Sequence, residues 1–445
     1  MTVGSPLKHI ILFALPLLCG NVFQQLYNWV DSIVVGNFVD TTGHALAAVG
    51  NCGSVNFLFF SLSSGLAIGI GIIVAQYFGA KDEKNVRCTI ANSIYVLVAV
   101  SLVISVIGIL TAPALFRALG TDPLIIDDSI LYMRTTCAGI IGIAMYNGCA
   151  AILRALGDSK TPLLFLVVSS IINVVLDLTF VLVFHLGVFG VALATILAQA
   201  ISAVCCIVYA YHTNAYFKLT KEELRPDKVI ILKSFRLGVP VALQNSMIAV
   251  SCMVLQSVVN GFDISVVTAY TVTNRIEQLV QQPYGSLGMA LTAYAGQNAG
   301  ANKPDRVRKG FRQAALLALV FSICLIPVMY TVGPKIVWLF NKEEAVIEVA
   351  SGALKITSLC YFALGMIYVP RAILNGCGDA GFAMVNGITE VVCRIAYAHL
   401  LTVIPALGYW GIWLTTVATW GTTAVVCVIR YLTGKWKKKF ITLKN

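Results

Sequence analysis

The chain has 445 residues, of which 58% are hydrophobic and only 11% are charged, and its mean hydropathy is +0.85. An ordinary soluble domain carries about 25% charged residues, so this composition excludes a single water-soluble core. The net charge of +11 comes from short basic tracts between apolar runs, as in the cytoplasmic loops of membrane proteins. We therefore expect a lipid bilayer as the surroundings and no nucleic-acid binding.

Apolar runs recur along the whole length of the chain. A hydrocarbon core about 30 Å thick needs about 20 apolar residues per helix. The sequence predicts an all-α membrane protein with twelve transmembrane helices, at 10–36, 45–78, 89–113, 129–153, 162–184, 188–211, 235–260, 265–299, 313–333, 349–371, 382–404 and 409–430. The first run continues past the length of a signal peptide and lacks its cleavage site, so we interpret it as a retained helix.

The distribution of lysine and arginine predicts the orientation. If the N-terminus is cytoplasmic, nearly all basic loop residues fall on the cytoplasmic side. With an even number of helices, both termini are then cytoplasmic, in a multi-pass protein of the plasma membrane. The longest polar stretch, 213–233, is predicted to be a cytoplasmic linker between an N-lobe (1–212) and a C-lobe (234–445) with a basic tail.

The two halves of the sequence are related by an internal repeat. Shifts of 221 to 224 positions bring together similar residues at the same place in the helix order. The matches include Pro16 with Pro240, Gln76–Ala80 with Gln297–Ala301, Ala151–Leu153 with Ala372–Leu374, and Leu186–Gly187 with Leu407–Gly408. Because each half has six helices, the prediction is two six-helix bundles in a parallel repeat.

Signatures of enzymes and metal proteins are not found in the sequence. The thirteen cysteines lie mostly in apolar runs without CxxC spacing, and the five histidines are scattered. The glycine-rich tract 65–71 lacks the Lys-Ser/Thr ending of a phosphate loop. We expect no enzyme activity, no ATP hydrolysis and no cofactor.

Four acidic residues fall inside predicted helices: Asp31, Asp177, Glu277 and Glu390. An acid at the bilayer centre costs about 2.5–3.5 kcal/mol, so each needs a partner, a cation, water or a proton. Asn173 precedes Asp177 by four positions, which places both side chains on one helix face. A cation-binding site and a polar network that packs helices together both account for this cluster.

Several segments in the same order resemble the multidrug and toxic compound extrusion family over nearly the whole chain. They are Gln24–Asp31 with Val34–Gly36, the Gln-x-x-Gly-Ala tract after each long second helix, and Arg154–Pro162, which reads Arg-Ala-Leu-Gly-Asp-Ser-Lys-Thr-Pro. In that family an Asp of the first helix, an Asn and an Asp of the fifth and a Thr of the sixth form a cation site. These positions match Asp31, Asn173, Asp177 and Thr195, so the resemblance implies sodium or proton binding there.

The resemblance also implies a function. Members of the family are antiporters that work by alternating access and export mostly cationic, amphipathic small molecules in exchange for sodium ions or protons. We expect the same of this chain, as a monomer. The residue types do not decide between the two ions, because oxygen ligands and a titratable carboxylate are both present.

The C-lobe departs from part of the family. Some members carry a Glu early in the seventh helix and an Asp in the tenth, whereas this chain has Gln244 near the first position and no acid in 349–371. It has instead Glu277, and Glu390 with Arg394 at i,i+4 spacing. We interpret Gln244, Glu277, Glu390 and Arg394 as a C-lobe polar network. Whether the Glu390/Arg394 pair is a structural salt bridge or has a coupling role stays open at this point.

A substrate surface can also be predicted, with less support. Aromatic and methionine side chains form the adaptable apolar surfaces of promiscuous binding proteins. The candidates are Tyr27, Met145, Tyr146, Met247 and Met253, and packing against lipid or other helices is the favoured interpretation of each single one.

A flippase for lipid-linked or other amphipathic lipids is the alternative function. Related flippases share the two-bundle design and generally line the cleft with several basic residues. Few basic residues fall at membrane depth in this sequence: Arg134, Arg275, Lys355 and Arg394.

Overall fold

The computed structural model describes residues 1–39 and 44–440, and all of the regular structure in these two ranges is helical. Residues 40–43, and the last five residues of the predicted C-lobe, 441–445, lie outside the described ranges. The all-α prediction is therefore confirmed.

Apart from residues 40–43, the first half contains seven α-helices. Two of them continue into a π-helical turn, at Val35–Val39 after the first helix and at Thr179–Val183 after the sixth. The helices are α1 (Pro6–Val34), α2 (His44–Gly79), α3 (Glu83–Ala118), α4 (Ile126–Ala138), α5 (Ile140–Leu156), α6 (Lys160–Leu178) and α7 (Gly187–Thr213).

The described part of the second half, up to residue 440, contains eight α-helices and a short 3₁₀ turn, Lys435–Lys438. The helices are α8 (Lys228–Val259), α9 (Ile264–Gly300), α10 (Pro304–Thr331), α11 (Gly333–Phe340), α12 (Glu344–Ser358), α13 (Tyr361–Gly376), α14 (Gly381–Thr402) and α15 (Trp410–Leu432).

Each of the twelve predicted spans falls on one helix or on one bent pair of helices. Eight helices are long and apolar enough to cross a membrane, and two bent pairs raise this number to ten. The other two predicted spans are α9 and α14, which carry three of the buried charged side chains, Glu277, Glu390 and Arg394. These polar side chains lower the mean hydropathy of the two helices, so the criterion of length and hydropathy does not count them among the membrane spans.

The bent pairs occupy the same place in both halves, as the internal repeat requires. The axes of α4 and α5 meet at 47°, and those of α12 and α13 at 50°. In each half the bent pair follows three long helices and precedes two further spans. The sequence predicted each pair as one span, because hydropathy does not register a bend.

The chain forms two compact units. One comprises Met1–Ala14 with Leu243–Asn445, and the other comprises Leu15–Ala242. We call them the C-terminal unit and the N-terminal unit. The cytoplasmic linker predicted at 213–233, between the N-lobe and the C-lobe, stays a prediction. The hydrophobic core of the N-terminal unit includes Phe116, Met133, Cys137 and Ile140, and that of the C-terminal unit includes Trp413.

Two glycines at the α4/α5 bend allow a close approach to α7. A Cβ atom on Gly139 would overlap the Cβ and Cγ2 atoms of Ile196, and one on Gly142 would lie 3.0 Å from Cα of Ala200. Small residues let membrane helices pack with their backbones close together. Because Ile196 follows Thr195, this contact also fixes the depth at which the Thr195 hydroxyl is held.

We predict that Gly139→Ala destabilises the N-terminal unit. The new methyl group has no space against Ile196, and overpacking of this kind typically costs about 1–3 kcal/mol. The measurement is thermal unfolding of the purified protein in detergent. Gly53→Ala is the matched control, because a Cβ at Gly53 meets nothing within 4 Å and alanine favours the helix. Equal melting temperatures for the two variants would contradict the packing argument.

Candidate functional site

Two carboxyl groups meet inside the N-terminal unit. Asp31 lies in the last turn of α1 and Asp177 in the last turn of α6, and their carboxyl groups are within hydrogen-bonding reach of each other. Asp177 is fully buried, and Asp31 is half-buried. Two carboxylates this close cannot both stay ionised in an apolar environment without a compensating positive charge. Such a pair is stabilised when it shares a proton or a cation.

Asn173 and Thr195 complete the group. The Asn173 amide donates a hydrogen bond to the Thr195 hydroxyl at 3.5 Å, and that hydroxyl donates to the carbonyl of Val191 at 3.1 Å. Asn173 and Asp177 lie four residues apart on one face of α6, as the sequence predicted. The structure thus brings together all four residues that the resemblance assigned to the cation site.

Four buried oxygens of this group receive no hydrogen bond from a neighbouring N–H or O–H group in the described chain. They are Asp31 Oδ1, Asn173 Oδ1 and both carboxylate oxygens of Asp177. Buried polar atoms are nearly always satisfied, so such a cluster is suited to a bound cation, a proton or an ordered water molecule. An all-oxygen donor set suits a hard cation such as sodium as well as a proton.

The donor set does not resemble a divalent metal site. Within 1–39 and 44–440, no group of three or more His, Cys, Asp or Glu side chains is placed to hold a metal ion. A monovalent cation or a proton would leave the pair with one negative charge instead of two, and the residues that would hold it are Asp31, Asn173, Asp177 and Thr195.

A small cavity adjoins this cluster. It leaves about 10 Å³ for the centre of a water-sized particle, close to what one water molecule needs. Its polar lining comes from α1, α6 and α7, and consists of Gln24, Tyr27, Ser169, Ser170, Asn173, Thr195 and Gln199. A small ion or a proton-carrying water can therefore sit directly beside Asn173 and Thr195.

A larger groove lies beside the same helices. Its volume is about 380 Å³, and its lining is almost entirely apolar. The groove and the small cavity share two residues, Tyr27 and Ser170. The remaining lining residues come from α1 and α6, and are Phe23, Leu26, Val30, Val167, Ile171, Val174 and Val175.

One residue of this site was not predicted from the sequence. Tyr132 of α4 is buried at 8% exposure and lies close enough to Asp31 and Asp177 to interact with both electrostatically, as Tyr27 does. Its only signal in the sequence is an aromatic residue in a bent span, and aromatic residues are common in membrane helices.

The other predicted substrate residues are dispersed. Tyr146 is buried, and its hydroxyl donates to the Pro162 carbonyl at 2.8 Å, while the neighbouring Met145 is half-buried. Met247 and Met253 belong to the C-terminal unit, the first half-buried and the second 43% exposed. Of the five, only Tyr27 adjoins the acid pair, and the substrate role of all five stays a prediction.

The predicted C-lobe network divides into two groups. Gln244 donates to the Asn386 side chain at 2.6 Å, and Asn386 donates to Cys427 Sγ at 3.0 Å. Separately, Arg394 and Glu390 form a buried ion pair at 3.0 Å, the partnership expected from their spacing. Glu277 lies beside this ion pair, near Arg394.

A family model described as MatE matches the chain twice, over residues 16–179 and 240–400. A single model that matches both halves is the result expected of an internal duplication.

Similar curated proteins span almost the same length as this chain. The probable multidrug resistance protein YoeA of Bacillus subtilis (strain 168) is 28% identical over 98% of this chain and 95% of the relative. The probable multidrug resistance protein NorM of Thermotoga maritima is 22% identical over 98% of this chain and 95% of the relative.

Solved structures of transporters have the same fold. One is a multidrug resistance MATE family transporter of the MOP superfamily in an outward-facing conformation, with a TM-score of 0.88, 25% identity, and coverage of 98% of this chain and 97% of that chain. A MATE structure in a bent conformation has a TM-score of 0.90 at 24% identity, with coverage of 98% and 97%, and supports the fold alone.

We predict that Thr195→Val weakens ion binding at the acid pair by about tenfold, a loss of about 1.4 kcal/mol, because an oxygen beside Asn173 is removed. The measurement is the rise in melting temperature as sodium or acid is titrated into purified protein. Thr111→Val is the control, since the Thr111 hydroxyl also donates to the carbonyl four residues earlier but is exposed on α3. An unchanged titration midpoint in Thr195→Val would contradict this assignment.

Proposed function

Because this chain belongs to the multidrug and toxic compound extrusion family of membrane transporters, we propose that it exports amphipathic, mostly cationic small molecules in exchange for protons or sodium ions. The observation that carries the proposal is the buried acid pair with its four unsatisfied oxygens. In a polar network with a purely structural role, the buried donors and acceptors form hydrogen bonds with one another. This group is completed only by an added positive charge.

The helical context of the two acids supports a coupling role. Asp31 lies one turn before the π-helical turn Val35–Val39, and Asp177 lies two residues before the π-helical turn Thr179–Val183. π-Helical turns interrupt the regular ladder of hydrogen bonds and occur frequently at functional sites. Both carboxyl groups are therefore attached to segments that can change their backbone arrangement without unfolding a long helix.

The charge of the pair supplies the driving force for such a change. With a cation or proton bound, the ends of α1 and α6 are held together, and without it the two carboxylates repel each other. Ion binding thus favours one arrangement of these helix ends over the other. Coupling to export requires the substrate to prefer the opposite arrangement, because a ligand with equal affinity for both states shifts nothing.

The apolar groove supports the proposed substrate class. Its volume of about 380 Å³ falls in the range of small-molecule sites, and Tyr27 links it to the acid pair. An amphipathic cation can place its apolar part in the groove and its charge toward Asp31. The coupling ion and the substrate would then compete for the same negative charge, as exchange requires.

The location and orientation of the protein in the membrane are also proposed. We propose a plasma-membrane location with both termini in the cytoplasm, following the excess of lysine and arginine in the loops assigned to that side. We further propose that the chain works as a monomer on small molecules and draws its energy from an ion gradient instead of ATP.

We predict that Asp177→Asn abolishes gradient-driven export while the protein stays folded, because an amide can neither exchange a proton nor neutralise a cation. The measurement is ethidium efflux from proteoliposomes with a proton gradient or a sodium gradient imposed separately. Asp127→Asn is the matched control, since Asp127 is exposed in the first turn of α4 in the same unit.

The gradient that drives export in the wild-type protein identifies the coupling ion. Full activity in Asp177→Asn would refute coupling through the acid pair. If neither gradient drives export, the lipid-flippase alternative takes precedence over antiport.

A further inference from the structure

Glu277 is a buried acid that the proposed mechanism does not use. It lies on α9 in the C-terminal unit and is 8% exposed. Its Oε1 atom has no hydrogen-bond partner in the described part of the chain. An ionised carboxylate in this position would be an uncompensated charge within a transmembrane bundle.

The polar, charged and titratable groups around Glu277 come from several helices of the C-terminal unit. The Thr357 hydroxyl of α12 is within hydrogen-bonding reach of the carboxyl group. The other groups that interact with it electrostatically are Arg394 of α14, Tyr361 of α13, Cys252 of α8 and Tyr270 of α9 itself. Of these neighbours, Arg394 alone carries a permanent positive charge.

Arg394 already has a carboxylate partner. Its Nη2 atom donates to Glu390 Oε1 at 3.0 Å, and the two side chains are only 6% and 8% exposed. The Arg394 Nη1 atom points toward Cys252 Sγ at 3.8 Å. The cluster therefore contains two acids and one base, and one negative charge is left over when both acids are ionised.

Arg394 has an N–H group left over for a further hydrogen bond, which makes a second arrangement of the cluster available. The Arg394 Nε atom is buried and has no acceptor within the described residues. When Glu277 is ionised, it competes with Glu390 for the guanidinium group, and when Glu277 is protonated, Arg394 stays with Glu390. Because Glu277 is on α9 and Arg394 on α14, the exchange changes the attraction between these two helices.

We propose that Glu277 is a second proton-binding site of this protein, located in the C-terminal unit and separate from the Asp31/Asp177 pair. A proton suits the site better than a metal cation for two reasons. Metal cations such as Ca²⁺ take six or more oxygen ligands, whereas the described neighbours of the Glu277 carboxylate offer three hydroxyl groups, those of Thr357, Tyr270 and Tyr361. A metal cation would also be repelled by the nearby guanidinium group of Arg394.

The site has a consequence for transport that rests on the proposed antiport. If the acid pair exchanges one positive charge and Glu277 exchanges a proton in the same cycle, removing Glu277 lowers the number of charges moved per substrate by one. The existence of the proton site does not depend on antiport and can be tested alone.

The direct test is infrared difference spectroscopy of the purified protein, reconstituted in lipid and titrated from high to low pH. We expect a C=O stretching band of a buried carboxylic acid, additional to that of the Asp31/Asp177 pair, to appear on acidification, to be missing in Glu277→Gln, and to persist in Glu348→Gln, which alters an exposed acid of α12. An unchanged spectrum in Glu277→Gln overturns the proposal. If that variant does not fold, Thr357→Val provides the test, since losing the hydroxyl must shift the band, and an unshifted band overturns the proposal.

The transport test separates this inference from the proposed function. We expect the reversal potential of substrate-dependent currents in proteoliposomes to show one fewer proton per substrate in Glu277→Gln than in wild type. An unchanged ratio in the variant overturns a transport role for Glu277. If the wild-type protein shows no proton-driven or sodium-driven export, antiport fails while the infrared result for Glu277 still stands.

Discussion

The structure depends on one electrostatic constraint: two carboxyl groups are buried together where α1 and α6 end. Neither Asp31 nor Asp177 is paired with a basic side chain in any ion pair found among the described residues. We propose that a bound proton or cation balances their negative charge. The π-helical turns beside both acids, the glycine contacts that hold α7 against the α4/α5 bend, and the polar cavity lined by Asn173 and Thr195 all surround this point.

The two halves carry different charged groups at corresponding positions. The register that aligns Ala151 with Ala372 places Asn173 opposite Arg394, and Ser169 opposite Glu390. Where the N-terminal unit needs an exchangeable positive charge, the C-terminal unit carries a permanent one, already paired with Glu390 at 3.0 Å. Since a built-in cation cannot be exchanged, we propose the extra acid, Glu277, as the exchangeable titratable group of the C-terminal unit. Duplicated bundles can thus keep one fold while their charge chemistry diverges.

The sequence alone predicted the positions of the twelve spans, because hydropathy depends on composition over about 20 residues. It also predicted the acid cluster, since an acid within an apolar run is conspicuous and Asn173 and Asp177 share a helix face. It could not predict the bend at Gly139, the two π-helical turns or the proximity of Tyr132, because each depends on contacts between distant segments. The partnership of Gln244 with Asn386 joins residues 142 positions apart and leaves no local signal.

The central claim is that Asp31 and Asp177 together hold one exchangeable positive charge. The most direct measurement is the number of protons or sodium ions bound per chain, determined by titration of the purified protein, compared between wild type and the Asp31→Asn/Asp177→Asn double variant. The account predicts that the double variant binds one cation fewer while its melting temperature stays in the folded range. Equal numbers of bound cations in the two proteins would contradict it and would leave the pair as a polar contact between helices.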